Sequence, residues 1–235
     1  MSLEDIQTEL KRHSDPAHAA ALQRFFKTAP GQYGAGDVFR GIRVPAIRAI
    51  ARKYRHTGLA DIEALQHSRF HEDRLLALLL LVARYQTSET AAQQQIYRMY
   101  CNNLRWINNW DLVDASAPYI VGHHLYARGK KPLRKWLRSK NLWERRIAVM
   151  AGFYFIRQNR FDVTFAAASV LLDDPEDLIH KAVGWMLREI GKRDRAALEA
   201  FLRSHYDRMP RTMLRYAIEK FPEALRRRYL RGEIA

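Results

Sequence analysis

Arg74-Leu75-Leu76-Ala77-Leu78 returns along the chain as Arg146-Ile147-Ala148-Val149-Met150, Lys181-Ala182-Val183-Gly184-Trp185 and Arg215-Tyr216-Ala217-Ile218-Glu219. Each copy is a cation followed by small and apolar residues of the kind that pack as a helix. The intervals are 72, 35 and 34 residues, the first about twice the others. The missing copy falls at Trp110-Asp111-Leu112-Val113-Asp114, with Trp where the others hold a cation. Two helices per period of roughly 35 residues mark an α-solenoid. The expected fold is therefore all-α, a solenoid of antiparallel helix pairs forming a single domain over residues 1–235.

The flanking sequence agrees. Ser2 with Glu4 and Asp5 reads as a capping box, and Asp15-Pro16 as an N-cap followed by Pro at the first helical position. A Gly-rich loop, Pro30 to Asp37, leads through Phe39-Arg40-Gly41-Ile42-Arg43-Val44 to a helix at Pro45. Helices are expected at 59–67, 71–86, 89–104, 110–127, 131–138, 142–158, 161–172, 175–191, 194–205, 211–220 and 222–230. No run alternates with period two, so no sheet is expected. Most prolines stand at helix boundaries. Pro118 falls inside 110–127 and predicts a bend or break there.

Lys plus Arg number 40 against 25 Asp plus Glu, a formal charge of +15, from which a polyanionic partner is expected, either nucleic acid or an anionic membrane surface, with a merely soluble basic protein as the plainer reading. At 48% hydrophobic, the chain can bury a substantial core. Cys101 is the only cysteine, so there is no internal disulfide and no cysteine-rich zinc site. That suits a reducing interior. The opening residues lack an apolar signal core, and the longest apolar run, Leu75 to Ala83, is far short of the roughly 20 residues of a membrane span. A cytoplasmic, nucleoid-associated protein of bacterial type, with no membrane partner, is expected.

Catalytic signatures are few. There is no Gly-x-Ser-x-Gly, phosphate loop or zinc-binding helix. His123 and His124 are adjacent and read as surface or packing residues. Ser116 has no evident His partner, and Cys101 reads as a small buried hydrophobe. No metal and no cofactor is expected. The repeat places Arg74, Trp110, Arg146, Lys181 and Arg215 in one slot, with Asp114 and Trp185 four residues on and Arg188 seven on. Positions 0, +4 and +7 share a helix face, and stacked repeats set such faces along one concave surface. Cations there bind phosphates. Tryptophan faces attract a positive group. A carboxylate stabilises a positive centre or orients water. Together they suit an alkylated purine in DNA, whose cationic ring is already a good leaving group. A plainer reading makes Trp110 and Trp185 core fillers and Asp114 a helix-start residue favoured by the macrodipole. Trp106 and Asp111 lie off that face and read as packing and helix-start residues.

Trp110-Asp111-Leu112-Val113-Asp114, Asn141-Leu142-Trp143-Glu144-Arg145-Arg146-Ile147-Ala148 and Lys181 through Glu189 resemble successive motifs of the AlkD-like DNA alkylation repair glycosylases. Tyr33-Gly34 and Phe39 through Pro45 resemble that family's opening loop. The similarity runs in order over most of the chain. It implies a HEAT-like α-solenoid with a concave basic groove, removing N3- and N7-alkylated purines from double-stranded DNA without metal or cofactor and without needing to flip the lesion. It implies catalytic roles for Asp114, Trp110 and Trp185. Arg146 is implied near the lesion backbone, with Arg145 the neighbour most easily confused with it. Arg188, Lys181 and, in the opening loop, Arg43 are the further DNA contacts expected. Where the family has a tyrosine in the second helix, this chain has Phe25, one hydroxyl contact fewer.

A relative that keeps the fold but lacks glycosylase activity is the rival, a non-enzymatic HEAT-repeat protein recognising branched or damaged DNA. Retention of Trp110, Asp114 and Trp185 together argues against it. A protein-interaction scaffold is a third reading, opposed by the +15 charge. A monomer is expected.

Overall fold

The computed structural model describes residues 2–233. Ser2 opens the chain with the capping box in place: its hydroxyl accepts from Asp5 N–H (3.3 Å), and the Asp5 carboxylate accepts from Ser2 N–H (2.8 Å). Helix α1 (Leu3–Arg12) follows, then α2 (Pro16–Phe25), where the Asp15 carboxylate accepts from the N–H groups of Ala17 and His18. The next helices are α3 (Val44–Lys53), α4 (Leu59–Gln66), α5 (His71–Thr87) and α6 (Thr90–Asn102). A 3-10 turn, Leu104–Trp106, leads to α7 (Trp110–Ala117). Beyond it come α8 (His123–Tyr126), α9 (Lys131–Trp136), α10 (Leu142–Arg157), α11 (Asp162–Val170), α12 (Asp177–Gly191), α13 (Arg195–His205), α14 (Arg211–Ala217) and α15 (Glu223–Arg231). Among the described residues there is no strand, only an isolated bridge between Val38 and Phe70.

Pro118 marks the irregularity expected of it. Residues Pro118–Gly122 form a π-helical turn between α7 and α8. Proline has no N–H to give the preceding turn, and one widened turn absorbs the defect without ending the helix.

The chain divides into two compact units, one ending at Ser116 and the other beginning at Ala117. In the first, α5 is the spine, buried from His71 through Leu78, and packs on α3, α4 and α6. In the second, α10 packs on α9, α11 and α12, and α12 on α13 and α14. This succession of short and long helices is that of an α-solenoid. Gly184 shows how close the layers come: a Cβ there would stand 2.5 Å from the Met213 carbonyl oxygen and from Tyr216 Cβ.

Hydrogen bonding corrects the repeat register by one residue. Arg74 Nη1 donates to the carbonyls of Ser68 (3.0 Å) and Arg69 (3.2 Å), six and five residues back. Arg145, not Arg146, repeats this, donating to Ser139 (2.9 Å) and Lys140 (3.1 Å). His180, not Lys181, donates Nε2–H to the carbonyl six back, Asp174 (2.6 Å). All three are the fourth residue of their helices and clamp the first turn to the loop before it. Asp114, Arg146, Lys181 and Arg215 are each the fifth residue, about 100° further round. Arg74 therefore leaves the expected row, where Leu75 stands in its place. Trp110 is the first residue of α7, so the residue replacing a cation in the row is Asp114.

Candidate active site and nucleic-acid interface

Helix α7 begins at Trp110 because the residues before it are pinned. The Asn109 side-chain oxygen accepts from Trp110 N–H (2.9 Å), and one Asp111 oxygen accepts from Leu112 N–H (2.9 Å). Asp37, from the N-terminal loop, accepts from the side-chain amides of Asn108 (3.0 Å) and Asn109 (3.1 Å) and from Arg74 Nη2 (2.6 Å). His71 joins the cluster. Its Nδ1–H donates to Asp37 (3.2 Å) and its Nε2–H to Asp111 (2.8 Å). Burial pushes the imidazole pKa down, but the charge and hydrogen bond of Asp111, aided by Asp37, outweigh it and raise it to about 9. Burial likewise pushes Asp37 up, but the His71 hydrogen bond, the Arg74 charge and the Asn109 amide hold it at about 2. At neutral pH the cluster holds an imidazolium between two carboxylates.

An aromatic stack rests on this cluster. Phe26 lies parallel to Phe39 (5.1 Å between centroids) and to Trp110 (5.4 Å), and 4.9 Å from the His71 ring. Phe25, in the place expected of a tyrosine, is 64% exposed and meets Trp110 edge-on at 6.2 Å. Leu112 and Val113 are buried, whereas Trp110 and Asp114 are only half-buried. Thus α7 keeps one aromatic and one carboxylate, a turn apart, in reach of solvent.

The loop before α3 is equally fixed. Glu72 accepts from the successive N–H groups of Arg40 (2.9 Å), Gly41 (2.8 Å) and Ile42 (3.1 Å). The Arg40 guanidinium grips Asp73 with two hydrogen bonds, 2.6 and 2.9 Å. Gly41 has φ +84, and a Cβ there would overlap the Asp15 carbonyl oxygen. Arg43, the N-cap of α3, is exposed.

In the second unit, Arg145 is buried and committed: it pairs with Asp174 (2.6 Å) besides the two carbonyls of its clamp. Its guanidinium is thus held by groups of the protein itself. Arg146 is also buried, with Nη1 donating to the Leu178 carbonyl (2.6 Å) next to α12. On α12, Lys181 pairs with Asp177 (2.7 Å) and Arg188 with Glu219. Trp185 is half-buried, its indole N–H donating to Glu189 (3.1 Å).

Sequence alone does not single out Asp37, His71 or Phe26, and it marks Asp111 only as a helix-start residue. One signal was present. His71-Glu72-Asp73-Arg74 puts four ionisable residues directly before the most apolar run in the chain, and all four are buried. Four consecutive buried ionisable groups demand partners, but nothing in the sequence says which. His124 is buried, and burial holds its pKa down to about 4; His123 packs edge-on to Tyr154. Cys101 is half-buried rather than buried. Among the described residues no group of three or more His, Cys, Asp or Glu is placed to hold a metal ion, and no helix is long and apolar enough to cross a membrane.

Residues 6–221 match the sequence model of the family described as DNA alkylation repair enzyme. Among solved structures, the chain is similar to one described as a predicted DNA alkylation repair enzyme from Enterococcus faecalis. The TM-score is 0.69 at 19% identity, over 90% of this chain and 98% of that one, a likeness of fold. No protein of curated function shows significant similarity to the chain.

Proposed function

The chain belongs to the DNA alkylation repair enzyme family, and from that premise we propose that it is a monofunctional glycosylase hydrolysing the N-glycosidic bond of cationic N3- or N7-alkylated purines in duplex DNA. The observation that carries the reading is the pairing on α7 of a half-buried Trp110, stacked on Phe26, with a half-buried Asp114 one turn on.

The positive base is the leaving group and needs no acid. As the bond breaks, positive charge passes to the deoxyribose. Asp114 stabilises that charge and guides water to the anomeric carbon, and the Trp110 and Trp185 faces favour a cation beside them. The base leaves neutral, and the proton lost by the water goes to solvent or to Asp114. Arg43, Lys181, Arg188 and Arg146 are the cations assigned to phosphates, with little sequence readout. Lys181 and Arg188 hold carboxylate partners, Asp177 and Glu219, that a phosphate would replace.

The test is incubation with methylated duplex DNA followed by chromatography of the released bases. Wild-type chain should release alkylpurine. Asp114→Asn should lose at least about a hundredfold of that rate while binding duplex nearly as well. Undiminished release by Asp114→Asn would sink the mechanism. Tight binding to branched DNA with no release by the wild type would favour a non-enzymatic DNA-structure reader.

A further inference from the structure

Between α2, the 37–43 loop and the first turns of α3 and α5 lies a cleft of about 360 Å³, a volume typical of small-molecule sites. Its walls are apolar and partly aromatic, with Phe26, Phe39, Ile42 and Leu75 buried around it. Of its polar side chains His71 and Glu72 are buried, His18 and Asp111 half-buried and Arg43 exposed. His71, Glu72 and Asp111 make up its buried end. Both His71 N–H groups are already given to Asp37 and Asp111, so the imidazole has no donor left. Glu72 accepts three N–H groups and Asp111 two donors, so each carboxylate keeps lone pairs unused. Three carboxylates, Asp37, Glu72 and Asp111, face two cations, His71 and Arg74, which leaves this end net negative. At the exposed rim the order reverses: Arg43 carries a guanidinium with no carboxylate partner among the described residues.

The cleft thus offers acceptors and negative charge inside, aromatic and aliphatic walls between, and a cation outside. We propose that it binds a nucleotide, with a purine ring against Phe26 and Phe39, its amino or cationic edge toward Asp111 and Glu72, and its phosphate at Arg43. A free mononucleotide and a nucleotide turned out of a DNA strand share that chemistry; only the second source rests on the DNA-directed reading above. Trp110 and Asp114 are not among the lining residues, so excision does not require the cleft. The walls are already built, because the three N–H groups on Glu72 and the Arg40–Asp73 pair fix the loop that forms one side.

The test is calorimetric titration of the full chain with 7-methylguanosine 5′-monophosphate, guanosine 5′-monophosphate and ribose 5-phosphate. Both nucleotides should bind at least about tenfold tighter than ribose phosphate, the cationic base more tightly of the two. Val44→Trp at the exposed rim and Leu22→Trp on α2 should each weaken nucleotide binding about tenfold or more with an unchanged thermal midpoint. A duplex carrying an unpaired 2-aminopurine nucleotide separates the sources. Quenching that is lost in Val44→Trp assigns the DNA source, and unchanged fluorescence with mononucleotide binding intact assigns the free nucleotide. Nucleotides binding no tighter than ribose phosphate, or indifferent to both tryptophans, overturn the proposal. Base release from methylated duplex, measured in parallel, fails separately. Release without nucleotide binding removes only the cleft, and nucleotide binding without release removes only the glycosylase reading.

Discussion

His71 donates its Nε2–H to Asp111 across 2.8 Å and so ties the first turn of α5 to the first turn of α7, forty residues on. The other ring nitrogen holds Asp37, which in turn holds Asn108 and Asn109. Trp110 is thus positioned from behind by a buried ion cluster and from the side by Phe26.

That cluster makes stability depend on pH in a defined window. The His71 pKa is about 9 in the fold against 6.5 ordinarily. Its contribution, on the order of 3 kcal/mol, is complete below pH 6.5 and is lost as pH rises through 9. Asp37 has the opposite sign: held at about 2 against 3.8, it contributes above pH 3.8 and is lost as pH falls through 2. Thermal midpoints should be highest between these limits and decline from pH 6.5 to 9. In His71→Gln that alkaline decline should flatten; a flat wild-type profile would refute the assignment.

Arg145 and Arg43 should separate stability from binding. Arg145→Ala leaves Asp174 buried without its partner and should cost about 3–5 kcal/mol, with no change in the salt dependence of DNA affinity. Arg43→Ala should leave the midpoint alone and lower the log–log salt slope by about one unit. Salt titrations of duplex binding beside thermal melts check both.

The tryptophans should act on the reaction more than on duplex affinity. Loss of one aromatic face beside a cation removes about 2 kcal/mol, roughly thirtyfold in rate, when the group is desolvated. Trp110→Ala and Trp185→Ala should each approach that loss in single-turnover excision. Trp110→Phe keeps a ring against Phe26 and should lose less. Equal losses from Phe and Ala at position 110 would mean that the indole itself, not a stacked ring, is needed.

Gly41 should tolerate no side chain. Its φ of +84 strains an L-residue, and the Cβ would meet the Asp15 carbonyl oxygen. Gly41→Ala should cost at least about 1–3 kcal/mol and loosen the three N–H groups on Glu72. Faster hydrogen exchange at Arg40, Gly41 and Ile42 would report it.

Periodicity, capping residues and prolines determined that this chain is helical, where most helices begin, and that Pro118 interrupts one of them. Those are local matters: a capping carboxylate, a proline without an N–H and a 3.6-residue apolar stripe act within a few residues. Trp110, Asp114 and Trp185 stand out in the sequence through their motifs, but the repeat register that set Trp110 in the row of cations is one only the helix bounds could correct. What only the tertiary structure decided is which groups each of two neighbouring cations meets. Arg145 and Arg146 are equivalent in composition and both are buried, but Asp174 and two carbonyls meet the first and the Leu178 carbonyl the second. The same holds for Asp37, His71 and Asp111, which stand 34 and 40 residues apart as hydrogen-bonded pairs. Burial makes such partners obligatory, but which distant groups meet is set by how the helices pack, and no local pattern carries that.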